Sequence, residues 1–223
     1  MARMSGGRAD YDPVAAGYAE HFRDELAAKP FDTTLLGWLA DRVADRGRIC
    51  DLGCGPGQVA GHLATRGVDV CGIDLSAEMV RHARHEHPGV EFAQGDMLDL
   101  SGVADGSFGG VAAFYSIVHF EPEQLPRAFA EIRRVLVPGG VALITFHVGD
   151  HRLHVDEMLG ATVSLDFVFH DPHAVAGALR DAGLVVTEVI QRDPYAEHVE
   201  HQSRRAYLFA TVPDPTAEIS REP

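Results

Sequence analysis

The stretch "ICDLGCGPGQVA" at residues 49–60 joins a short apolar segment to helix-forming sequence through three glycines at alternate positions. An apolar run followed by such a glycine cluster is typical of a buried strand that turns tightly into a helix. Gly53, Gly55 and Gly57 tolerate positive φ and allow a ligand to approach the backbone closely. The stretch therefore predicts a ligand-binding turn, but the glycines alone do not identify the ligand.

Around this turn, strand and helix patterns alternate regularly, which predicts an α/β fold with a parallel sheet and helices on both faces. Helices are predicted at 14–29, 32–45, 57–66, 77–86, 123–136 and 172–182, and strands at 48–51, 68–74, 90–96, 108–116, 141–147, 184–192 and 204–212. Asp32 or Thr33 is the expected cap of the second helix and Ser76 that of the fourth, while Pro138-Gly139-Gly140 is expected to end the fifth. The ligand crevice should lie beyond the carboxyl ends of the strands.

The chain of 223 residues, 46% of them hydrophobic, fits a single domain spanning residues 1–223. We predict N-terminal helices at 1–46, a core at 47–212 and a disordered, Pro-rich tail at 213–223. The regular alternation breaks at 147–170, which we interpret as a partly extended cap inserted over the crevice.

The charge balance disfavours two classes of partner. The formal net charge of −14 repels nucleic acid and acidic membrane surfaces. No secretory signal or membrane-spanning stretch is recognisable, and three cysteines are too few for a disulfide framework. These features predict a cytoplasmic protein, a monomer or homodimer, that binds neither nucleic acid nor membrane.

The glycine turn is a poor match to phosphate-binding loops. A nucleotide triphosphate loop would need a Lys-Ser or Lys-Thr pair where Gln58 and Val59 stand. The spacing G-x-G-x-G also differs from the dinucleotide fingerprint G-x-G-x-x-G. In addition, the carboxylate of Asp51 would repel a pyrophosphate.

Three acids at the ends of successive predicted strands indicate a different ligand. Asp51 suits a cationic group such as an α-ammonium. Asp74 lies 17 residues after Gly57 (74 − 57), where it can accept both hydroxyls of a ribose. Asp96 and the adjacent Met97 suit an exocyclic amine and the ring of a purine. An ammonium, a ribose and an adenine without a phosphate describe S-adenosylmethionine.

The motifs "DLGCGPG", "GIDLS", "QGDMLDL", "AAFYSIVHF" and "VLVPGG", in this order, resemble those of the class I S-adenosylmethionine-dependent methyltransferases. The resemblance covers roughly residues 10–212 and is strongest for the small-molecule branch. It implies a Rossmann-like, mostly parallel sheet of seven strands with the last strand reversed, and an N-terminal helical lid. The expected cofactor-binding residues are Tyr18, Asp51, Gly53, Gly55, Gly57, Asp74, Leu75, Asp96, Met97 and Tyr115.

The implied function is methyl transfer to an oxygen or nitrogen atom of a small molecule, such as a natural-product intermediate, with carbon as the lesser alternative. A lyase, a cyclase or a regulatory module that binds S-adenosylmethionine without methylating remains the alternative. The glycine spacing argues against a nicotinamide oxidoreductase. The sequence does not identify the acceptor.

Among the 13 histidines, two follow predicted strands on the crevice side. His119 comes after the fourth strand and is the first candidate for a catalytic base, and His147 ends the fifth strand and is the second. His147, His151 and His154 together invite a metal site, but no carboxylate stands at the end of the fourth strand, and we predict no metal.

Two other groups of polar residues are interpreted as solvated. The histidines on or just after the fourth helix are expected to lie on a solvated face among neighbouring arginines: His82, His85 and His87. Arg192, Tyr195, Arg204 and Arg205 are expected to extend from an edge strand into solvent, although they could also hold a carboxylate of the acceptor.

Overall fold

The computed structural model of the protein describes residues 10–215, in which helices alternate with the strands of a central sheet. Residues 1–9 of the expected lid and residues 216–223 of the expected tail lie outside this range. The strands are β1 Ile49–Leu52, β2 Val70–Asp74, β3 Glu91–Gln94, β4 Phe108–Phe114, β5 Leu136–His147, β6 Arg152–Met158, β7 Ala161–Val168, β8 Val185–Arg192 and β9 Arg205–Thr211. The helices are α1 Ala15–His21, α2 Pro30–Val43, α3 Gln58–Thr65, α4 Ala77–Glu86, α5 Leu125–Val135 and α6 Pro172–Asp181.

Seven strands form one sheet in the order β3-β2-β1-β4-β5-β9-β8. The pairs among β1 to β5 are parallel, whereas β9 runs antiparallel to both β5 and β8. This confirms the expected seven-stranded, mostly parallel sheet with a reversed last strand. Buried residues of α2, α3 and α4 pack on one face, and those of α5 and α6 on the other.

The N-terminal helices differ from the prediction. In place of one helix at 14–29 there are a 3-10 turn at Asp12–Val14, α1, and a second 3-10 turn at Glu25–Ala28. Lys29, which precedes Pro30, has ψ of 69°, as expected for a residue that proline excludes from the helical region. Pro30 then occupies the first position of α2, so the predicted cap at Asp32 or Thr33 is wrong.

The prediction that a helix ends just before Pro138-Gly139-Gly140 is confirmed. Helix α5 ends at Val135, and Leu136 begins β5 directly. The three residues lie within β5, at the point where its register with β4 shifts between Phe108 and Gly110. The Ser76 cap is confirmed, because its Oγ accepts the Met79 N–H at 3.0 Å.

The irregular segment after β5 folds as the antiparallel hairpin of β6 and β7. Its turn consists of Leu159 and Gly160, with φ of 50° and 78°, the conformation that favours a two-residue hairpin connection. Val163 and Leu165 of β7 pack against Val14 of the N-terminal segment. The hairpin and the N-terminal segment therefore form one continuous structure above the sheet. None of the helices within residues 10–215 is both long and apolar enough to cross a membrane.

Gly72 in β2 provides a test of core packing. A Cβ at this position would lie 2.4 Å from Cδ1 of Phe92 and 2.9 Å from Sγ of Cys54, both buried. We expect Gly72→Ala to lower the free energy of unfolding by about 1–3 kcal/mol through overpacking. Gly177 in α6 has no atom within 4 Å of the corresponding Cβ position. Gly177→Ala is therefore the control. Urea denaturation should show that it raises the free energy of unfolding by about 0.5–1 kcal/mol. Equal effects of the two substitutions would contradict the close packing at Gly72.

Candidate functional site

The glycine turn between β1 and α3 is held against the end of β2. The Gly53 N–H donates to the Ile73 carbonyl at 2.7 Å. Gly53, Gly55 and Gly57 have φ of 76°, 52° and 89°, values that other residues rarely adopt. A Cβ on Gly53 would lie 2.3 Å from Cβ of Ser116. The turn thus requires glycine both for its conformation and for its close contact with the chain after β4.

Asp51 lies in β1 beneath this turn and is 1% exposed. Its Oδ2 accepts the Ala60 N–H of α3 at 3.0 Å, and its other oxygen accepts no hydrogen bond from any described residue. Burial raises the pKa of Asp51 to about 8, with a smaller contribution from the nearby Asp74 carboxylate. A cationic ligand group beside Asp51 would stabilise the ionised carboxylate, because an opposite charge favours the charged form.

Asp74 is the last residue of β2 and fastens the turn. Its Oδ2 accepts the Gly55 N–H and its Oδ1 accepts the Ser76 N–H, each at 2.8 Å. Each carboxylate oxygen keeps a further lone pair, so both remain able to accept a ligand hydroxyl. Burial raises the pKa of Asp74, although the two backbone N–H groups oppose this effect.

A cavity of about 630 Å³ lies at the carboxyl-terminal edge of the sheet, within the usual range for small-molecule sites. Gly57 is not among its lining residues; it precedes α3 and packs closely against Phe92 and His87. The other residues predicted from the sequence all line the cavity: Tyr18, Asp51, Gly53, Gly55, Asp74, Leu75, Asp96, Met97, Tyr115, His119 and His147.

One wall of the cavity is aromatic. The ring of His147 lies 5.4 Å from that of Tyr115 and 5.2 Å from that of Phe169, centroid to centroid. Tyr115 has φ of 52°, a strained value for this residue type, and its N–H donates to Oγ1 of Thr145 at 2.8 Å. Burial, and next the charge of Arg205, lower the pKa of His147 to about 3.

His119 is held at both ring nitrogens. Its Nδ1 lies 2.8 Å from the Asp166 carbonyl oxygen, and its Nε2 lies 2.9 Å from the Tyr11 hydroxyl. Because a carbonyl only accepts, Nδ1 carries the hydrogen, and Nε2 then accepts from Tyr11. Burial lowers the pKa of His119, so the neutral form is favoured.

A buried ion cluster, which the sequence did not predict, also borders the cavity. Glu200 is 8% exposed and accepts hydrogen bonds from Arg192 and from the Tyr195 N–H, the latter at 2.7 Å. Nζ of Lys29 and Nη2 of Arg205 lie 3.8 and 3.4 Å from Oε2 of Glu200. The expected solvation is therefore wrong for Arg192 and Arg205. In the sequence, a buried cluster of one acid and several basic residues has the same composition as an exposed salt bridge, so the pattern does not reveal burial.

The histidines after β5 do not converge on a shared point. The ring of His151 stacks on that of Phe169, with the centroids 4.1 Å apart. His154 instead forms hydrogen bonds with the carboxylates of Asp156 and Asp166 on the exposed side of the hairpin. Within residues 10–215, no group of three His, Cys, Asp or Glu side chains is arranged to hold a metal ion.

Part of the chain is similar to a known domain family. Residues 49–140 match a methyltransferase domain family. A putative methyltransferase, YqeM, of Bacillus subtilis is 31% identical over 139 residues, which is 60% of this chain and 56% of the relative. The chain spans only 39% to 66% of the length of the first curated relatives that it matches.

Solved structures share the fold. An S-adenosylmethionine-dependent methyltransferase of Methanosarcina mazei superposes with a TM-score of 0.70 at 17% identity, covering 79% of this chain and 97% of the other. The [4+2]-cyclase SpnF superposes with a TM-score of 0.63 at 23% identity, covering 82% and 81% of the two chains. At 17% and 23% sequence identity, this structural similarity shows a shared fold only. The domain match over residues 49–140 and this shared fold make the chain similar to the S-adenosylmethionine-dependent methyltransferases.

Proposed function

We propose that the chain transfers a methyl group from S-adenosylmethionine to an oxygen or nitrogen atom of a small molecule, with carbon as the lesser alternative. The observation that carries this proposal is the row of Asp51, Asp74 and Asp96 along one edge of a single cavity. Three acids beside a glycine turn suit a ligand with a cationic end and several hydroxyl or amine donors, and they do not suit a phosphate.

In this proposal each part of the cofactor has a partner of matching chemistry. Asp51 faces the α-ammonium and Asp74 accepts the ribose hydroxyls, while Leu75, Asp96 and Met97 surround the adenine. When bound, the cofactor supplies an electrophilic methyl group on its sulfonium. The residues of the chain then need to orient the acceptor in line and exclude water.

We assign water exclusion to the N-terminal segment, as a lid, and to the β6–β7 hairpin, as a cap. Asp12 accepts a hydrogen bond from the Ser76 hydroxyl, which ties this segment to the start of α4. Val14 packs against Val163 and Leu165 of the hairpin. Tyr18, four residues after Val14, lines the cavity.

His119 is the better supported of the two candidate bases. A group with a pKa near 3, as for His147, is a weak base at neutral pH. We therefore assign His147, with Tyr115 and Phe169, to the wall that contacts the acceptor. Such a wall favours a flat aromatic or fused-ring acceptor, because aromatic rings stack on one another.

A binding and turnover experiment tests the proposal. We expect micromolar affinity for the demethylated cofactor by calorimetry, and formation of that product when methyl-labelled cofactor is incubated with a panel of phenols and amines. Failure to bind either form of the cofactor would contradict the whole proposal. Binding without product formation would favour a non-methylating role, for which the fold shared with a cyclase is the supporting observation.

The raised pKa of Asp51 predicts proton release on cofactor binding. Because Asp51 has a pKa of about 8, it is mostly protonated at neutral pH, and pairing with an ammonium would lower its pKa. Affinity for the demethylated cofactor should therefore rise between about pH 6 and 7.5, by up to tenfold per unit. Calorimetry in buffers of different ionisation enthalpy would measure the released proton.

5′-Methylthioadenosine is the matched control for this prediction, because it keeps the nucleoside and lacks the ammonium. Its binding should release no proton through Asp51, and Asp51→Ala should leave its affinity nearly unchanged. Equal pH dependence for the two ligands would contradict the assignment of Asp51 to the ammonium.

A further inference from the structure

We propose that the hydroxyl of Tyr11 is the group that takes the proton from the acceptor, and that it passes its own proton to Nε2 of His119. This inference rests on the proposed methyl transfer and deepens it, because it makes Tyr11 a catalytic residue. It also restricts the acceptor to a class that must lose a proton, such as a phenol or another weakly acidic hydroxyl.

The occupied nitrogens of His119 are the first observation. Nδ1 bonds the Asp166 carbonyl at 2.8 Å and Nε2 bonds the Tyr11 hydroxyl at 2.9 Å. Neither nitrogen is left to contact an acceptor directly while these bonds persist. A proton can reach Nε2 in this arrangement only through the Tyr11 oxygen, which accepts as well as donates.

The position of Tyr11 is the second observation. Tyr11 and His119 both line the cavity, together with Tyr18. The ring of Tyr11 makes edge contacts with His119 at 5.3 Å and with Tyr18 at 5.6 Å, which fix its orientation. Asp12, the next residue, accepts a hydrogen bond from the hydroxyl of Ser76, two residues after Asp74. The hydroxyl is thus held against the proposed base by a residue that lines the cavity.

The proposed step balances in atoms and charge. The acceptor O–H bond breaks and its proton joins the Tyr11 oxygen, while the original Tyr11 proton moves to Nε2 of His119. The acceptor oxygen uses its electron pair to bond the methyl carbon, and the C–S bond breaks with its pair remaining on sulfur. The positive charge of the sulfonium is thereby replaced by that of the imidazolium, which keeps its Nδ1–H bond to the Asp166 carbonyl.

Rates with two probe acceptors test the relay. We expect Tyr11→Phe, which keeps the ring contacts, and His119→Asn, which keeps a donor near the Nδ1 position, each to slow methylation of phenol by about 10-fold or more. The double variant should be no slower than the slower single variant, because the two residues act as one unit. 4-Nitrophenol, assayed at a pH where it is already ionised, should lose less than about 2-fold in either variant.

Three results would overturn the relay: additive losses in the double variant, equal losses with both phenols, or a matching loss of cofactor affinity in Tyr11→Phe. Nitrogen-15 spectra of the histidine-labelled protein with demethylated cofactor bound provide a test independent of turnover. An unprotonated Nε2 of His119 whose resonance shifts in Tyr11→Phe supports the relay, whereas a protonated Nε2 or an unshifted resonance overturns it. Cofactor binding without methylation of either phenol would count against the proposed transfer, and these spectra would then decide the relay alone.

Discussion

Asp74→Ala is expected to weaken binding of the demethylated cofactor by about 100-fold or more, while the chain remains folded. The substitution removes acceptors for two ligand hydroxyls, and hydrogen bonds to a charged group contribute about 1.5–3 kcal/mol each. Their loss corresponds to roughly 3 kcal/mol or more, or about two decades in affinity. The Gly55 and Ser76 N–H groups also lose their acceptor, which loosens the turn itself.

Asp69→Ala is the matched control for this experiment. Asp69 lies just before β2, at the opposite end of the strand from Asp74, and its side chain is 69% exposed beside Arg48. Its removal should leave cofactor affinity unchanged and cost little stability, as for other exposed ion pairs. Unchanged calorimetric affinity in a folded Asp74→Ala protein would remove the basis for the proposed cofactor site.

The features that the sequence predicted well are those with a local signal. Asp74 and Asp96 each follow an apolar run, and the carboxyl ends of parallel strands meet at one edge of a sheet. Their proximity to the glycine turn therefore follows from the sequence pattern. The reversed direction of β9 came instead from the family resemblance, because nothing in residues 205–211 indicates strand direction.

The features that escaped prediction depend on contacts between distant residues. Tyr11 and His119 are 108 positions apart, and no periodic pattern connects them. His87 was expected on a solvated face, yet a Cβ on Gly61 would lie 2.3 Å from its ring, so it packs against α3. In the same way, β5 begins at Leu136 and not at the predicted residue 141, because only the pairing of Leu136 with Phe108 of β4 assigns these residues to the strand.

The ion cluster around Glu200 provides the largest expected effect on stability. Its side chain is 1% exposed, and those of Arg205, Lys29 and Arg192 are 3%, 7% and 12% exposed. Removing the charge of Glu200 would leave these buried cations without their shared partner. We expect Glu200→Gln to lower the free energy of unfolding by about 3–5 kcal/mol, the usual cost of breaking a buried ion pair.

Glu188 provides a matched control on the same edge of the sheet. It pairs with Arg42 at 2.7 Å, with side chains 33% and 37% exposed, so Glu188→Gln should cost less than about 1 kcal/mol. Because Lys29, Glu200 and Arg205 also line the cavity, the Glu200 substitution should disturb the cavity wall as well.

The pH dependence of the free energy of unfolding shows whether Glu200→Gln acts by removing an ion pair or by changing the packing. Burial alone would raise the pKa of Glu200, but hydrogen bonds from Arg192 and the Tyr195 N–H hold it below its ordinary value of 4.5. A carboxyl with a lowered folded-state pKa stabilises the fold above its unfolded pKa, and this contribution is lost as the pH falls through the folded pKa. Urea denaturation should therefore show the full difference between wild type and Glu200→Gln near neutral pH, and a shrinking difference below about pH 4. A difference that is independent of pH would mean that Glu200 acts through its volume rather than its charge.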